Sequence, residues 1–257
     1  MSDAESSEST ISYDGYRFHY RNREEFERIC QDVFDGHEYA FDTRQRAPLI
    51  VDAGAHVGAA THYFKRRYPD ARVLAFEANP VTFSLLQQNI ASNHLSGVHA
   101  THAALAPEPG EILFYASAND DEPGAWGDSA VRQPWHDHDA TDVVRVPAVT
   151  LSSILTERVD LLKLDIEGME TAVLEEAGAR LVRVREVILE FHGTRQNPRN
   201  SISRLTAILR AAGLTPEVRQ FGAVVSLSGI QQDGPYWLMV RGMRLNPWQK
   251  LQRRWRP

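Results

Sequence analysis

From Leu49 onward the chain alternates short apolar runs with amphipathic stretches, and no other feature restricts the fold as tightly. Leu49-Ile50-Val51 runs into Asp52, two glycines, and a helical stretch that Pro69 stops. Residues 72–77 (RVLAFE) form a second apolar run. Residues 80–91 read as a helix with a proline suited to its first turn, and 98–103 as a third run. The pattern returns at 160–165 (DLLKLD), 169–177 and 186–191 (EVILEF). Strand–helix–strand units at this spacing require right-handed crossovers and a parallel sheet covered on both faces. A turn at Asp233-Gly234-Pro235 joins apolar stretches 218–227 and 236–240, which predicts a terminal antiparallel hairpin. The expected class is α/β, Rossmann-like, mostly parallel.

Other segments give weaker signals. Aromatics around Asp14-Gly15 predict a small hairpin over 12–21. Phe26, Ile29, Cys30, Val33 and Phe34 form one helical stripe ended by Gly36. Residues 106–115 read as a hairpin around Gly110, 143–149 as a strand, Thr150 as the cap of a short helix, and 201–212 as a helix. Segment 117–142 is long, polar and irregular. The expected organisation is a disordered tail at 1–10 and a cap of hairpin and helix at 11–48. A catalytic domain at 49–241 follows, with 117–142 as a loop insertion, and then a basic tail at 242–257.

Charge and cysteine content bound the function. The 257 residues carry a net charge of −6, which argues against a nucleic-acid partner. A lone Cys30 excludes an intrachain disulfide and a cysteine-based zinc cluster, and suits a reducing cytoplasm. The opening MSDAESSEST lacks the positive start and apolar stretch of a secretory signal. No uncharged apolar run approaches the ~18 residues of a membrane span, so a soluble protein is expected. The tail 244–257 holds five basic residues with Trp248 and Trp255. It suits packing on the domain, or weak peripheral contact with an anionic surface.

The chemistry concentrates where apolar runs end. V-D-A-G-A-H-V-G (51–58) carries Asp52 at a strand end, with Gly54 and Gly58 in the following turn. In open parallel sheets ligands bind outside the carboxyl ends of the strands, and glycine lets them approach the backbone. Glu77 closes the next strand, where a carboxylate accepts the hydroxyls of an adenosine ribose. A dinucleotide fingerprint needs G-x-G-x-x-G, and the tight G-x-G is missing. S-adenosylmethionine has a ribose but no phosphate, so it suits this looser turn. No P-loop motif occurs.

Lys163, Asp165, Glu167 and Glu170 crowd the end of the fourth strand. The helix dipole accounts for acids in a first turn. It does not account for Lys163 and Asp165 alternating with apolar residues in a buried strand, where charge is costly unless paired. Lys163 is therefore expected as a charge partner. His192, after Glu190 at the end of the fifth strand, is the first candidate for general base and Asp165 the second. Divalent-metal readings attach to the run His136-Asp137-His138-Asp139 and to Asp165 with Glu167, and neither compels a metal. Trp126 and Trp135 suit a lid over the acceptor or packing on the domain edge.

VDAGAHVG, FEANP, VDLLKLDIEGMETAVLEEAG and VILEFHG, in this order, resemble the FkbM family of S-adenosylmethionine-dependent methyltransferases. The likeness runs from 49 to 241. His56 stands where Asn is common, and Ala78 where Pro is common. The resemblance implies a class I methyltransferase with a seven-stranded sheet, an antiparallel last strand, helices on both faces, and methyl transfer usually to oxygen. It implies Asp52, Gly54, His56 and Gly58 around the amino-acid end of the cofactor. Glu77, Ala78 and Asn79 would serve its ribose and adenine, with Ala103, Ala104 and Leu105 alongside and Asp165 at its reactive end. Lys163, Asp165 and His192 are then the catalytic candidates. Glu167, His192, Trp126 and Trp135 are the candidates for the acceptor, expected to be a small-molecule natural product or a glycan. Competing readings are a nucleotide-dependent oxidoreductase, an N-methyltransferase, and a non-catalytic module. A monomer or a homodimer fits equally.

Overall fold

The computed structural model describes residues 9–117, 141–232 and 234–245. Trp126, Trp135, the run 136–139, the turn residue Asp233 and the tail from 246 lie outside them.

The chain opens with β1 (Ser9–Tyr13) and β2 (Tyr16–Tyr20), antiparallel about Asp14-Gly15. Both turn residues have positive φ, 51° and 84°, as a two-residue hairpin requires. Helix α1 (Arg23–Cys30) starts where the Asn22 side chain accepts from the Glu25 amide, and widens into a π-turn over Gln31–Asp35. The alternating core follows: β3 (Leu49–Ala53), α2 (Ala59–Arg67), β4 (Arg72–Glu77), α3 (Pro80–Ser92) and β5 (Val98–His102). Next come β6 (Ala104–Leu105), β7 (Gly110–Ser117), β8 (Thr141–Val149) and α4 (Leu151–Ile154). The chain then runs through β9 (Leu161–Leu164), α5 (Glu170–Ala177), β10 (Glu186–Gly193) and α6 (Ile202–Ala211). It closes with β11 (Thr215–Gln220), β12 (Ala223–Val224) and β13 (Tyr236–Met243).

The main sheet has the order β12-β11-β13-β10-β9-β3-β4-β5. The strands β10, β9, β3, β4 and β5 are parallel neighbours, while β13 runs antiparallel between β10 and β11. The expected seven strands and antiparallel last strand are present, with two-residue β12 added at the edge. The order reverses between β3 and β9, and a crevice opens there at the carboxyl ends.

Alternation along each strand builds two core layers. Leu49, Val51 and Ala53 join Leu162, Leu164, Leu189 and Phe191 beneath the helices that follow β8. Ile50, Leu161 and Ile188 face the other way, toward α2, α3 and the N-terminal elements. Phe18, Phe26, Cys30 and Phe34 belong to that second layer, so the hairpin and α1 supply part of the core. Two asparagines of α3 dock the hairpin. Asn89 accepts from the His19 amide (2.6 Å) and donates to the His19 carbonyl (3.0 Å). Asn93 does the same with Arg17 (2.9 and 2.7 Å).

Three local expectations are corrected. Ser9 and Thr10, expected in a disordered tail, pair with Tyr20 and His19 as the start of β1, and residues 1–8 lie outside the described residues. The hairpin around Gly110 does not form: Gly110 begins β7, whose antiparallel partner is β8. At φ 137° this glycine opens a strand instead of turning between two. Thr150 occupies the N-cap position of α4, but its side chain makes no capping hydrogen bond. Among the described residues no helix is long and apolar enough to cross a membrane.

Candidate active site

A cavity of about 270 Å³ opens at the carboxyl ends of β3, β4, β9 and β10. Its size falls near the lower end for small-molecule pockets. Each wall follows from a strand ending.

At the end of β3 the backbone turns sharply through Gly54 (φ 72°) and His56 (φ 51°). Left-handed backbone at His56 is a strained geometry of the kind that collects at functional sites. It aims the His56 amide at Glu77 Oε2 (2.8 Å), while the Asn79 amide reaches Glu77 Oε1 (2.8 Å). Two backbone donors thus fix the carboxylate at the end of β4. Beyond it Ala78, Ala103, Ala104, Leu105 and Phe114 make an apolar wall.

The other end is charged. Asp52 and Lys163 are direct neighbours in the β3–β9 register, and on the same face. Their ion pair is 3.3 Å, and both are buried. Lys163 Nζ also donates to the Gly54 carbonyl (2.5 Å) and lies 3.6 Å from Asp165. Burial disfavours the Lys163 charge, but Asp52 and Asp165 outweigh it and raise its pKa above the ordinary value. The Tyr39 ring sits 5.3 Å from that ammonium, and its hydroxyl reaches Asp165 Oδ2 at 3.5 Å.

β10 brings Glu190 and His192 to the same end. Buried His192 Nδ1 meets Glu170 Oε1 at 3.0 Å; its Nε2 faces Glu167 (3.4 Å) and Glu190 (3.8 Å). Burial lowers the affinity of His192 for a proton, yet Glu167, Glu170 and Glu190 together raise its pKa well above the imidazole value. Burial, then Asp165, pushes Glu190 up to about 7. Burial is also the main cause that pushes Glu167 up to about 8, against the pull of His192. These groups titrate as one unit.

The structure sorts the expected residues by position. Gly54, His56, Glu77, Ala78, Ala103, Ala104, Leu105, Lys163, Asp165 and Glu167 line the cavity. Asp52, Gly58, Asn79 and His192 do not. Asp52 is wholly buried, taking a bond from Thr61 (2.7 Å) as well as Lys163, so it holds the lysine and touches nothing in the cavity. Gly58 starts α2 at φ 92°, where a Cβ would meet Leu86 at 2.7 Å. Asn79 caps α3 through the Val81 amide (2.8 Å). His192 stands behind Glu167 and Glu190. The room left by Gly54 is likewise filled from within: a Cβ there would lie 1.7 Å from the Asp165 carbonyl oxygen.

Some lining residues escaped the sequence. Arg28, Ile29, Asp32 and Val33 come from α1 and its π-turn, and Glu38 and Tyr39 from the segment after it. The helical stripe included Ile29 and Val33 but marked them only as buried, with no sign that the cavity lay beside them. Asn200, which clamps Glu170 at 2.6 Å, left no motif at all.

A mostly parallel sheet with antiparallel β13 between β10 and β11, and a carboxylate fixed at the end of β4 next to the switch-point strand β3, define a class I methyltransferase. A family model described as the methyltransferase FkbM domain matches residues 52–216. The chain belongs to this FkbM family of S-adenosylmethionine-dependent methyltransferases. It is 31% identical over 191 residues to methyltransferase sdnD of Sordaria araneosa, covering 64% of this chain and 74% of that one. It is 24% identical over 155 residues to 2-O-methyltransferase NoeI of Sinorhizobium fredii, covering 56% and 63%. A crystal structure of methyltransferase FkbM from Methylobacillus flagellatus KT shares its fold. The TM-score is 0.50 at 13% identity, over 82% of this chain and 47% of that one.

Proposed function

We propose that this methyltransferase alkylates a hydroxyl of a small-molecule natural product or a sugar. The observation that carries this reading is the division of one cavity into an apolar end and an acidic end. At the apolar end Glu77, oriented by two backbone amides, accepts the ribose hydroxyls, and Ala78, Ala103, Ala104, Leu105 and Phe114 hold the adenine. The turn at Gly54 and Ala55, braced by Lys163, holds the amino-acid end. Bound there, the cofactor supplies a methyl group already activated for in-line displacement. At the acidic end Asp165, Glu167 and Glu190 orient the acceptor, and this cluster with His192 takes its proton. Reach to the acceptor is direct for the carboxylates and indirect for His192.

The 2-O-methyltransferase activity named for the Sinorhizobium relative favours oxygen as the acceptor atom. Acids around the cavity, with the overall charge of −6, disfavour a polyanionic nucleic acid. A reducing cytoplasm suits buried Cys30. The hairpin and α1 act as a cap on the catalytic domain, in one protomer or in each of two.

Two measurements test this. Calorimetry of S-adenosylhomocysteine binding to Glu77→Ala is expected to show affinity about tenfold or more weaker, roughly one charge-assisted hydrogen bond. Unchanged affinity overturns the ribose assignment. Incubation with labelled S-adenosylmethionine and a panel of polyols, sugars and amines is expected to yield methyl ethers, identified by NMR. Methylamine products alone overturn the oxygen assignment.

A further inference from the structure

We propose that Asp165, Glu190 and His192 form a divalent transition-metal site at the acidic end of the cavity. Its use in catalysis rests on the methyl-transfer reading above; the binding of the ion does not.

One ligand atom from each residue lies within 4.8 Å of the other two. Ligand bonds of ~2.0–2.2 Å bring such atoms closer together, and small side-chain rotations of the two carboxylates supply the difference. Asp165 and Glu190 are about a quarter exposed, 26% and 25%, and both line the cavity, whereas His192 is buried behind them. An ion held there keeps its remaining positions toward the cavity. Such an open side separates a catalytic from a structural metal.

The strongest independent observation lies behind the histidine. Metal-bound imidazoles give their second ring N–H to a carboxylate or carbonyl, which fixes tautomer and orientation. Here His192 Nδ1 faces Glu170 Oε1 at 3.0 Å, which turns Nε2 toward Glu190 (3.8 Å) and Glu167 (3.4 Å) at the acidic end of the cavity. Glu170 is wholly buried and itself anchored. The Gly168 amide donates to its Oε1 (2.9 Å) and Asn200 Nδ2 to its Oε2 (2.6 Å). The same Asn200 nitrogen donates to the His192 carbonyl (2.8 Å), tying ligand and support into one unit.

Charge points the same way. Asp52, Asp165, Glu167, Glu170 and Glu190 gather around Lys163 and His192, and Lys163 is drawn toward Asp52. A metal ligand must be the neutral imidazole, so the ion would displace the His192 proton and take its place as the positive partner of these acids. One imidazole with two carboxylates suits Mn²⁺, Fe²⁺, Co²⁺ or Zn²⁺ better than Ca²⁺ or Mg²⁺, which favour all-oxygen shells. An ion at this point would polarise the acceptor hydroxyl and weaken its O–H bond, and Glu167, in its ionised form, would take the proton.

The test uses the full chain, stripped with a chelator and titrated with Mn²⁺ or Co²⁺ by calorimetry and spectroscopy. S-adenosylhomocysteine binding is measured on the same samples. One ion per chain is expected. Asp165→Asn and Glu190→Gln should each weaken it about tenfold or more, with S-adenosylhomocysteine still bound. Glu170→Gln should weaken it less. Nitrogen coupling in the electron-spin-echo spectrum of the Mn²⁺ form should vanish in His192→Gln. Absence of binding, or affinity unchanged in both carboxylate variants, overturns the site. Absence of S-adenosylhomocysteine binding with the ion retained overturns the cofactor reading and leaves the metal site standing.

Discussion

His62 is wholly buried between α2 and α3. Its Nδ1 faces the Gly58 carbonyl (2.7 Å) and its Nε2 the Asn89 carbonyl (3.3 Å). Burial holds its pKa below the usual imidazole value despite its backbone partners. An unfolded histidine titrates near ~6.5, so below that pH the unfolded chain binds a proton that the folded chain refuses. This contribution is complete above pH ~6.5 and declines as pH falls through the depressed folded value. Melting temperatures of wild type and His62→Gln between pH 7.5 and 5.5 should therefore converge on acidification, and parallel curves would count against it. Legibility at this scale was uneven for a physical reason. Period-two alternation places Lys163 with Asp165, and Glu190 with His192, on one face of adjacent strands, so the acidic end could be read from spacing. Asp52 and Asn79 looked alike as polar strand-end residues. Which of them touches the cavity depends on neighbours, Thr61 and the α3 amides, that spacing does not reveal.

Among the elements, the attachment of β2 to α3 is the most exposed to a single change. Asn89 satisfies both backbone groups of His19 and also donates to the Val57 carbonyl (2.8 Å). Asn89→Ala would leave several buried polar groups without partners, at ~1–3 kcal/mol for each such group. The expected result is lost amide-exchange protection over 16–20 at little cost to protection in β3 and β9. A uniform loss across the sheet would refute this separation. Elements were legible where the partners are close in sequence. The strands β3, β4 and β5 and their helices follow from periodicity and glycine or proline stops. The error at 106–115 arose because β7 pairs with β8, across residues 118–140, and a local turn signal carries no information about so distant a partner.

For the molecule as a whole, binding energy and fold stability are linked. Filling the crevice with S-adenosylhomocysteine at 100-fold over its dissociation constant should stabilise the chain by ~2.7 kcal/mol. For a domain of this size that raises the melting temperature by roughly 5–10 °C. Stabilisation by NAD in its place would restore the oxidoreductase reading. The sheet and its crevice were legible because parallel strands, buried on both faces, leave a strong pattern. The share of the cavity wall that comes from residues 25–39 was not, since a segment outside the alternating units announces only its own buried stripe. The way the preceding hairpin is held has one more consequence. Four residues of helix advance ~6.0 Å, and two residues of strand ~6.6–6.8 Å. Asn89 and Asn93 therefore match the repeat of β2 almost step for step, like teeth meshing with a rack. A hairpin engaged this way has one seating. Helix α1, which is separated from β2 by two residues and lines the cavity, therefore starts from a fixed anchor.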